Sequence, residues 1–280
     1  MEKAIKRYFP IFVLPTMIAF TLGFIIPFVE GVYLSFCKFT TVNDAKFIGF
    51  ANYAKVFADE TFVHAFWYTA AFTVVSVILI NVLAFAVALL LTKGFKGTNI
   101  FRTVFFMPNL IGGIVLGYIW QLLLNGILMK FSRTLTYSST YGFWGLIILM
   151  CWQQIGYKMI IYIAGIQNIP GELIEAAEID GATKWQILKK VTIPMVMPSI
   201  TVCTFLTLTN SFKLFDQNLA LTNGEPSKMS EMLALNIFNT FYGRTGYEGV
   251  GQAKAVIFFI LVTVIALTQN YLTRRKEVQQ

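Results

Sequence analysis

The sequence predicts an all-α polytopic membrane protein with six transmembrane helices, and three observations carry that expectation. Hydrophobic residues make up 56% of the 280 and charged residues 13%, with a mean hydropathy of +0.66. That leaves too little polar surface to cover a water-soluble domain. Six apolar runs each approach the roughly 20 residues that a helix needs to cross about 30 Å of hydrocarbon. The runs are continuous, whereas barrel strands would alternate, so their backbone hydrogen bonds close within helices.

In chain order the runs cover residues 12–36, 66–91, 101–124, 143–166, 196–215 and 255–272. The first follows a short basic segment and is much longer than the hydrophobic stretch of a signal peptide, so it reads as a retained anchor. The third contains Pro108, which removes a backbone donor and favours a kink, and Gly113-x-x-x-Gly117, whose missing side chains permit close helix approach. The fifth carries Thr204, Thr207 and Ser211 on one stripe, with Asn210 alongside and Asn218 in line if the helix continues.

Basic residues near helix ends set orientation. Lys3, Lys6, Arg7, Lys93, Lys96, Arg102, Lys184, Lys189, Lys190, Arg274, Arg275 and Lys276 fall on one side when the N-terminus is cytoplasmic, so both termini are expected in the cytoplasm of a bacterial plasma membrane. Topology thus accounts for the net charge of +8 without nucleic acid as a partner. Cys37, Cys151, Cys203 and His64, with no C-x-x-C, give neither a disulfide framework nor a metal site. There is no H-E-x-x-H, G-x-S-x-G or G-x-x-x-x-G-K-[ST], so the chain is expected to be no enzyme, with no catalytic residues and no cofactor of its own.

No repeat or linker divides the sequence, which reads as a single membrane domain over 1–280. Two long loops, at 37–64 and 219–251, fall outside on this topology. A third, at about 167–194, falls inside and reads as two short helices. Pro170 and Gly171 open the first, whose Glu172, Glu175 and Glu178 form an acidic arc opposite Leu173, Ile174 and Ala177; Gly181, after Asp180, ends it. Thr183 and Gln186 then have capping-box spacing, and the second helix runs to Pro194. Such a pair suits either docking into a soluble partner or lying on lipid, and anionic headgroups would repel its acidic face.

Glu175-Ala176-Ala177, then Gly181, then Val191-x-Ile193-Pro194, resembles the E-A-A-x3-G-x9-I-x-L-P signature of binding-protein-dependent ABC importer permeases. Val191 and Ile193 depart from it while keeping apolar bulk. Residues 47–53, the run from Phe101 through Pro108 to Trp120, and residues 221–226 resemble further segments of the carbohydrate branch, the last with Glu225 in place of a glycine.

The resemblance implies a type I ABC importer permease fold with a cytoplasmic coupling helix. It carries the coupling roles to Glu175 and Gly181, and the candidate ATPase-coupling residues of this loop are Glu172, Glu175, Ala176, Ala177, Asp180, Gly181 and Pro194. It implies as partners a second permease subunit, two cytoplasmic ATPase subunits that hold ATP and Mg, an extracellular sugar-binding lipoprotein or binding protein, and the lipid bilayer.

Sugar recognition needs hydrogen-bonding groups and aromatic rings on a water-lined face. The candidate substrate path is Thr204, Thr207, Asn210, Ser211 and Asn218 with Gln153, Gln154 and Tyr157, where helix packing is the competing role for each. Lys213 and Asp216 are spaced to form an ion pair, and Lys158 is expected to snorkel toward the cytoplasmic headgroups. Glycerol 3-phosphate or another polar solute is the alternative cargo, and an ion-coupled secondary sugar transporter the alternative mechanism.

Overall fold

The computed structural model describes residues 2–94 and 96–274, with side chains from residue 9 onward. Arg275 and Lys276, and the side chains of Lys3, Lys6 and Arg7, lie outside what is described. Fourteen α-helices follow in order among the described residues: α1 (Glu2–Phe20), α2 (Ile26–Leu34), α3 (Ala51–Phe57), α4 (Glu60–Leu91), α5 (Thr98–Phe106), α6 (Gly113–Leu128), α7 (Ser139–Gln167), α8 (Gly171–Ile179), α9 (Lys184–Ile187), α10 (Ile193–Met195), α11 (Met197–Phe212), α12 (Asp216–Leu221), α13 (Leu233–Gly243) and α14 (Glu248–Arg274).

Five helical stretches are long and apolar enough to cross a membrane: Phe9–Leu34, Glu60–Leu91, Gly113–Phe131, Ser139–Gln167 and Glu248–Arg274. A sixth is the pair Lys184–Met195 and Met197–Phe212, bent by 69°. The expected six-span count therefore holds if the bent pair is one span.

The third span differs most from expectation. Residues 101–124 do not form one helix: α5 ends at Phe106, a 3₁₀ turn covers Met107–Leu110, Ile111 and Gly112 are extended, and α6 starts at Gly113. Pro108 and the Gly112-Gly113 pair together end a helix that apolar composition alone would continue. The fifth span ends at Phe212 rather than 215, and α12 starts in a new direction after it.

The described residues group into two compact units, one within 2–60 and 237–259, the other within 61–236 and 260–274. In the first, α1 and α2 join through a π turn at Thr21–Ile25, and the most apolar stretch of this span buries no residue. Such a surface needs lipid or another apolar partner. After it, the two-residue strands β1 (Cys37–Lys38) and β2 (Lys46–Phe47) pair antiparallel, Cys37 opposite Phe47 and Lys38 opposite Lys46.

The segment Phe47-Ile48-Gly49-Phe50-Ala51-Asn52-Tyr53 fixes that hairpin. Asn52 Nδ2 donates to the carbonyls of Ser35 at 2.9 Å and Cys37 at 2.8 Å, the Tyr53 hydroxyl meets Ser35 Oγ at 2.7 Å, and Phe36 packs on Phe47, Phe50 and Tyr53. The backbone N–H groups of Thr40 and Thr41, both donating to the Asp44 carboxylate, hold it below its usual range. On α14, Lys254 is fully buried and pairs with Asp59 Oδ2 at 2.7 Å and Thr240 Oγ1 at 2.8 Å, which compensates a charge that would otherwise be costly.

The second unit is organised around α7, the span with the largest buried share. One apolar cluster joins Phe72 and Ile80 of α4 to Leu146, Leu149 and Met150 of α7 and to Leu214 and Leu221. Another joins Ala84 and Ala88 of α4 to Met159, Tyr162 and Ile163 of α7 and Cys203 of α11. Between them runs a polar chain: the Tyr162 hydroxyl donates to Asn81 Oδ1 at 2.7 Å, and Asn81 Nδ2 donates to Thr207 Oγ1 at 3.3 Å. Gly113 and Gly117 form the seam on which α12 lies; a Cβ at Gly117 would sit 2.5 Å from that of Ala220. The packing role expected for G-x-x-x-G is the observed one.

Candidate functional site

Two features of the second unit carry the candidate residues. The first is the helix pair α8–α9. Pro170 precedes α8, and the helix closes in a Schellman motif: Gly181 N–H donates to the Glu178 carbonyl at 3.0 Å and Ala182 N–H to that of Ala177 at 3.0 Å. Gly181 takes φ +75°, a left-handed conformation that glycine adopts without strain and most L residues do not.

The capping box follows as spaced, with Thr183 Oγ1 accepting from Gln186 N–H and Gln186 Oε1 accepting from Thr183 N–H at 2.7 Å. Ile174 and Ala177 are half-buried, Ile174 against the second apolar cluster, while Glu172, Glu175, Ala176, Glu178 and Asp180 are exposed. Leu173, placed on the apolar arc by periodicity, is exposed. So are Ile179, at 86%, and Trp185, at 68%, which gives the joint an apolar tip beside its acidic face. A cleft of about 300 Å³ at the joint is lined by Ala177, Asp180, Gly181, Ala182, Gln186, Ile187, Lys190 and Val191. Pro194 lies in the short α10, just before the 69° bend.

The second feature is an open cavity of about 430 Å³, lined by Met150, Gln154, Asn210, Lys213, Leu214, Phe215, Asp216 and Gln217. Amide, charged and aromatic groups share it, a mixture that suits a polar solute with an apolar face. Of the candidate path residues, the structure brings Gln154 and Asn210 together here. Thr204 is half-buried on α11, and Tyr157 is part-exposed with its ring 6.4 Å from that of Phe106.

The other path candidates are placed in packing. Thr207 is 1% exposed and belongs to the Tyr162–Asn81 chain, besides donating to the Cys203 carbonyl. Ser211 is fully buried, and its hydroxyl has no partner among the described residues. Gln153 clasps the broken third span: its Nε2 donates to the Ile111 carbonyl at 3.3 Å and its Oε1 accepts from Gln217 Nε2 at 2.9 Å.

Asn218 leaves the stripe because α11 stops at Phe212, which rotates everything beyond. Its Nδ2 donates to the Ser230 carbonyl and Thr222 Oγ1, and its Oδ1 accepts from Met232 N–H, all between 2.8 and 3.0 Å. Asn218→Ala should therefore cost about 1–3 kcal/mol per buried group left unpaired. The measurement is the thermal unfolding midpoint in detergent, and an unchanged midpoint would contradict the clasp.

Two charge expectations are corrected. Lys213 and Asp216 make no ion pair with each other among the described residues; the helix break separates their side chains, and both line the cavity. Lys158 does not snorkel. It is fully buried, and its Nζ turns one helical turn away from the C-terminal end of α7 to donate to Gln154 Oε1. Composition pointed to neither Phe215 nor Gln217, because both follow a break that helical periodicity cannot cross.

The model of the family of binding-protein-dependent transport system inner membrane components matches residues 80–278, which include both features. The chain belongs to that family. This transport component is 42% identical over 278 residues to the probable starch degradation products transport system permease protein AmyD of Thermoanaerobacterium thermosulfurigenes, covering 96% of this chain and 94% of that one. It is 28% identical over 289 residues to the multiple sugar-binding transport system permease protein MsmF of Streptococcus mutans, covering 99% of each.

Among solved structures, a chain of a bacterial ABC transporter involved in the import of the acidic polysaccharide alginate superposes with a TM-score of 0.82 at 23% identity, over 98% of both chains. That likeness establishes the fold, an ABC importer permease fold as the sequence led us to expect. The curated relatives are named as transport permeases, not as enzymes.

Proposed function

We propose that this chain is the permease subunit of an ATP-driven sugar importer, forming half of the translocation path for oligosaccharides released from starch. The observation that carries the reading is the 42% identity to a starch-product permease over nearly the whole of both chains. The cavity supports it, since Gln154, Asn210 and Gln217 offer neutral hydrogen-bonding groups beside the Phe215 ring, as a sugar's hydroxyls and ring faces require.

In this reading an extracellular binding protein delivers the cargo, a second permease subunit completes the path, and two cytoplasmic ATPase subunits bind ATP and Mg. Both termini of the chain are cytoplasmic, in the bacterial plasma membrane. The pair α8–α9 is the coupling device: Glu175 and the Gly181 turn, with Ile179 and Trp185 at the tip, enter a groove of the ATPase and pass its motion to α7 and α11. The acidic arc and exposed apolar tip favour a protein groove over anionic lipid.

Glycerol 3-phosphate is the second cargo reading; Lys213 in the cavity favours it and Asp216 opposes it. The test is co-purification from solubilised native membranes, followed by ATP hydrolysis of the recovered complex with its binding protein and maltotriose, raffinose or glycerol 3-phosphate. An ATPase, a second permease and hydrolysis stimulated by maltotriose are expected. A chain that purifies alone and moves sugar on an ion gradient would replace the ATP-driven reading with secondary transport.

A further inference from the structure

Behind Gln154, which lines the 430 Å³ cavity, lies a group that cargo chemistry alone does not ask for. Lys158 is fully buried in α7, nine residues before its last residue Gln167, about 14 Å of helix. An ammonium this deep is expensive unless paired, yet no carboxylate reaches it among the described residues. Its Nζ donates instead to Oε1 of Gln154, one turn closer to the cavity, and lies 5.1 Å from the centroid of the Tyr157 ring.

An ammonium only donates, so the amide must turn its oxygen toward Lys158. That leaves Gln154 Nε2, on a side chain that lines the cavity, with no hydrogen bond to a protein group among the described residues. Without Lys158 the amide would be free to rotate and present either end.

We propose that Lys158 is a positioning residue that locks the Gln154 amide with its NH₂ group facing the cavity, where it donates to an oxygen of the passing solute. The charge on Lys158 polarises the amide and strengthens that donor. The Gln217 amide is held through Gln153, whose Nε2 donates to the Ile111 carbonyl, and no buried cation reaches it or Asn210 among the described residues, so Gln154 is the lining amide anchored by a charge. The inference rests on the importer reading and is independent of which solute is carried.

The test uses the complete transporter in cells, with uptake of radiolabelled maltotriose, raffinose and glycerol 3-phosphate by the wild type choosing the probe. Gln154→Glu keeps a partner for Lys158, now an ion pair, and removes the NH₂ donor. It should reach the membrane in wild-type amount and lose about tenfold in uptake. Lys158→Met should lose a similar factor, and Lys158→Met combined with Gln154→Met should be no worse than Gln154→Met alone, because both act through one group.

Gln154→Glu transporting within about twofold of wild type would overturn the proposal, since a merely structural pair is improved by that change. Losses that multiply in the double variant would overturn it too. If Lys158→Met fails to accumulate, Gln154→Glu decides alone. If the wild type imports glycerol 3-phosphate and neither sugar, the sugar reading falls, and the same variants decide this proposal with glycerol 3-phosphate as probe.

Discussion

Gly181→Arg and Glu175→Arg should each cut uptake more than about tenfold while leaving the chain in the membrane at its normal level. The structure separates what these residues do for their own chain from what they do for a partner. Gly181 holds φ +75°, where an L side chain costs about 1–2 kcal/mol, but a Cβ there would meet nothing within 4 Å. The substitution therefore loosens the turn between α8 and α9 without a clash inside the chain. Glu175 is exposed, and a surface change of this kind moves stability by only about 0.5 kcal/mol.

Any large loss of uptake must then arise where the helix pair meets something else. Gly181→Asn is the control: asparagine tolerates the left-handed turn and projects little, so uptake should stay within a few-fold of wild type. Uptake, immunoblots of the membrane fraction and co-purification of the ATPase subunit together check the outcome. Wild-type uptake in both arginine variants would remove the coupling role from this joint.

The helix pair was legible in the sequence because every signal in it is local. A Schellman glycine, a capping box four residues long and an acidic arc at helical spacing depend on a few neighbouring residues, and all three appear as spaced. Span positions were legible for the same reason, since hydrocarbon thickness sets a length that composition must meet. The breaks were not. Pro108 marked a kink, but whether the chain resumes as the same helix depends on the Ile111 carbonyl finding Gln153 from α7, a contact 42 residues away.

The cavity was legible only in part, and the break after Phe212 is the reason. Periodicity on α11 carries Asn210 to the correct face, then extends the stripe to Asn218, which the new direction of α12 turns into a buried clasp. Lys158 failed in another way. Snorkelling follows from chain length and distance to the interface, whereas the direction taken by Nζ follows from what surrounds it: α4 and α11 close over α7 there, and Gln154 offers an oxygen. A buried polar pair is a property of packing, and one helix's sequence does not contain it.

The largest loss of folded protein is expected at Gly156. A Cβ there would lie 1.8 Å from the Phe105 carbonyl oxygen and 2.3 Å from its carbon, so the obstacle is backbone at the end of α5. That backbone has little room to move, because the segment just beyond it is tied to α7 through Gln153 and the Ile111 carbonyl. Overpacking usually costs about 1–3 kcal/mol where side chains yield, and against backbone Gly156→Ala should reach or exceed the top of that range.

Two other glycines calibrate the effect. At Gly165 the nearest atom is the Ser199 hydroxyl oxygen at 2.3 Å, which can rotate away, leaving Ser199 Cβ at 3.1 Å and Val196 Cγ1 at 3.3 Å to give slightly, so Gly165→Ala should cost less than Gly156→Ala. At Gly126, inside α6, nothing lies within 4 Å, and alanine should add up to about 1 kcal/mol through helix propensity. Thermal unfolding midpoints in detergent should therefore fall in the order Gly126→Ala, wild type, Gly165→Ala, Gly156→Ala. A Gly156→Ala midpoint equal to that of Gly126→Ala would mean that α5 does not rest on α7, and the broken third span would lose the contact that fixes its first half.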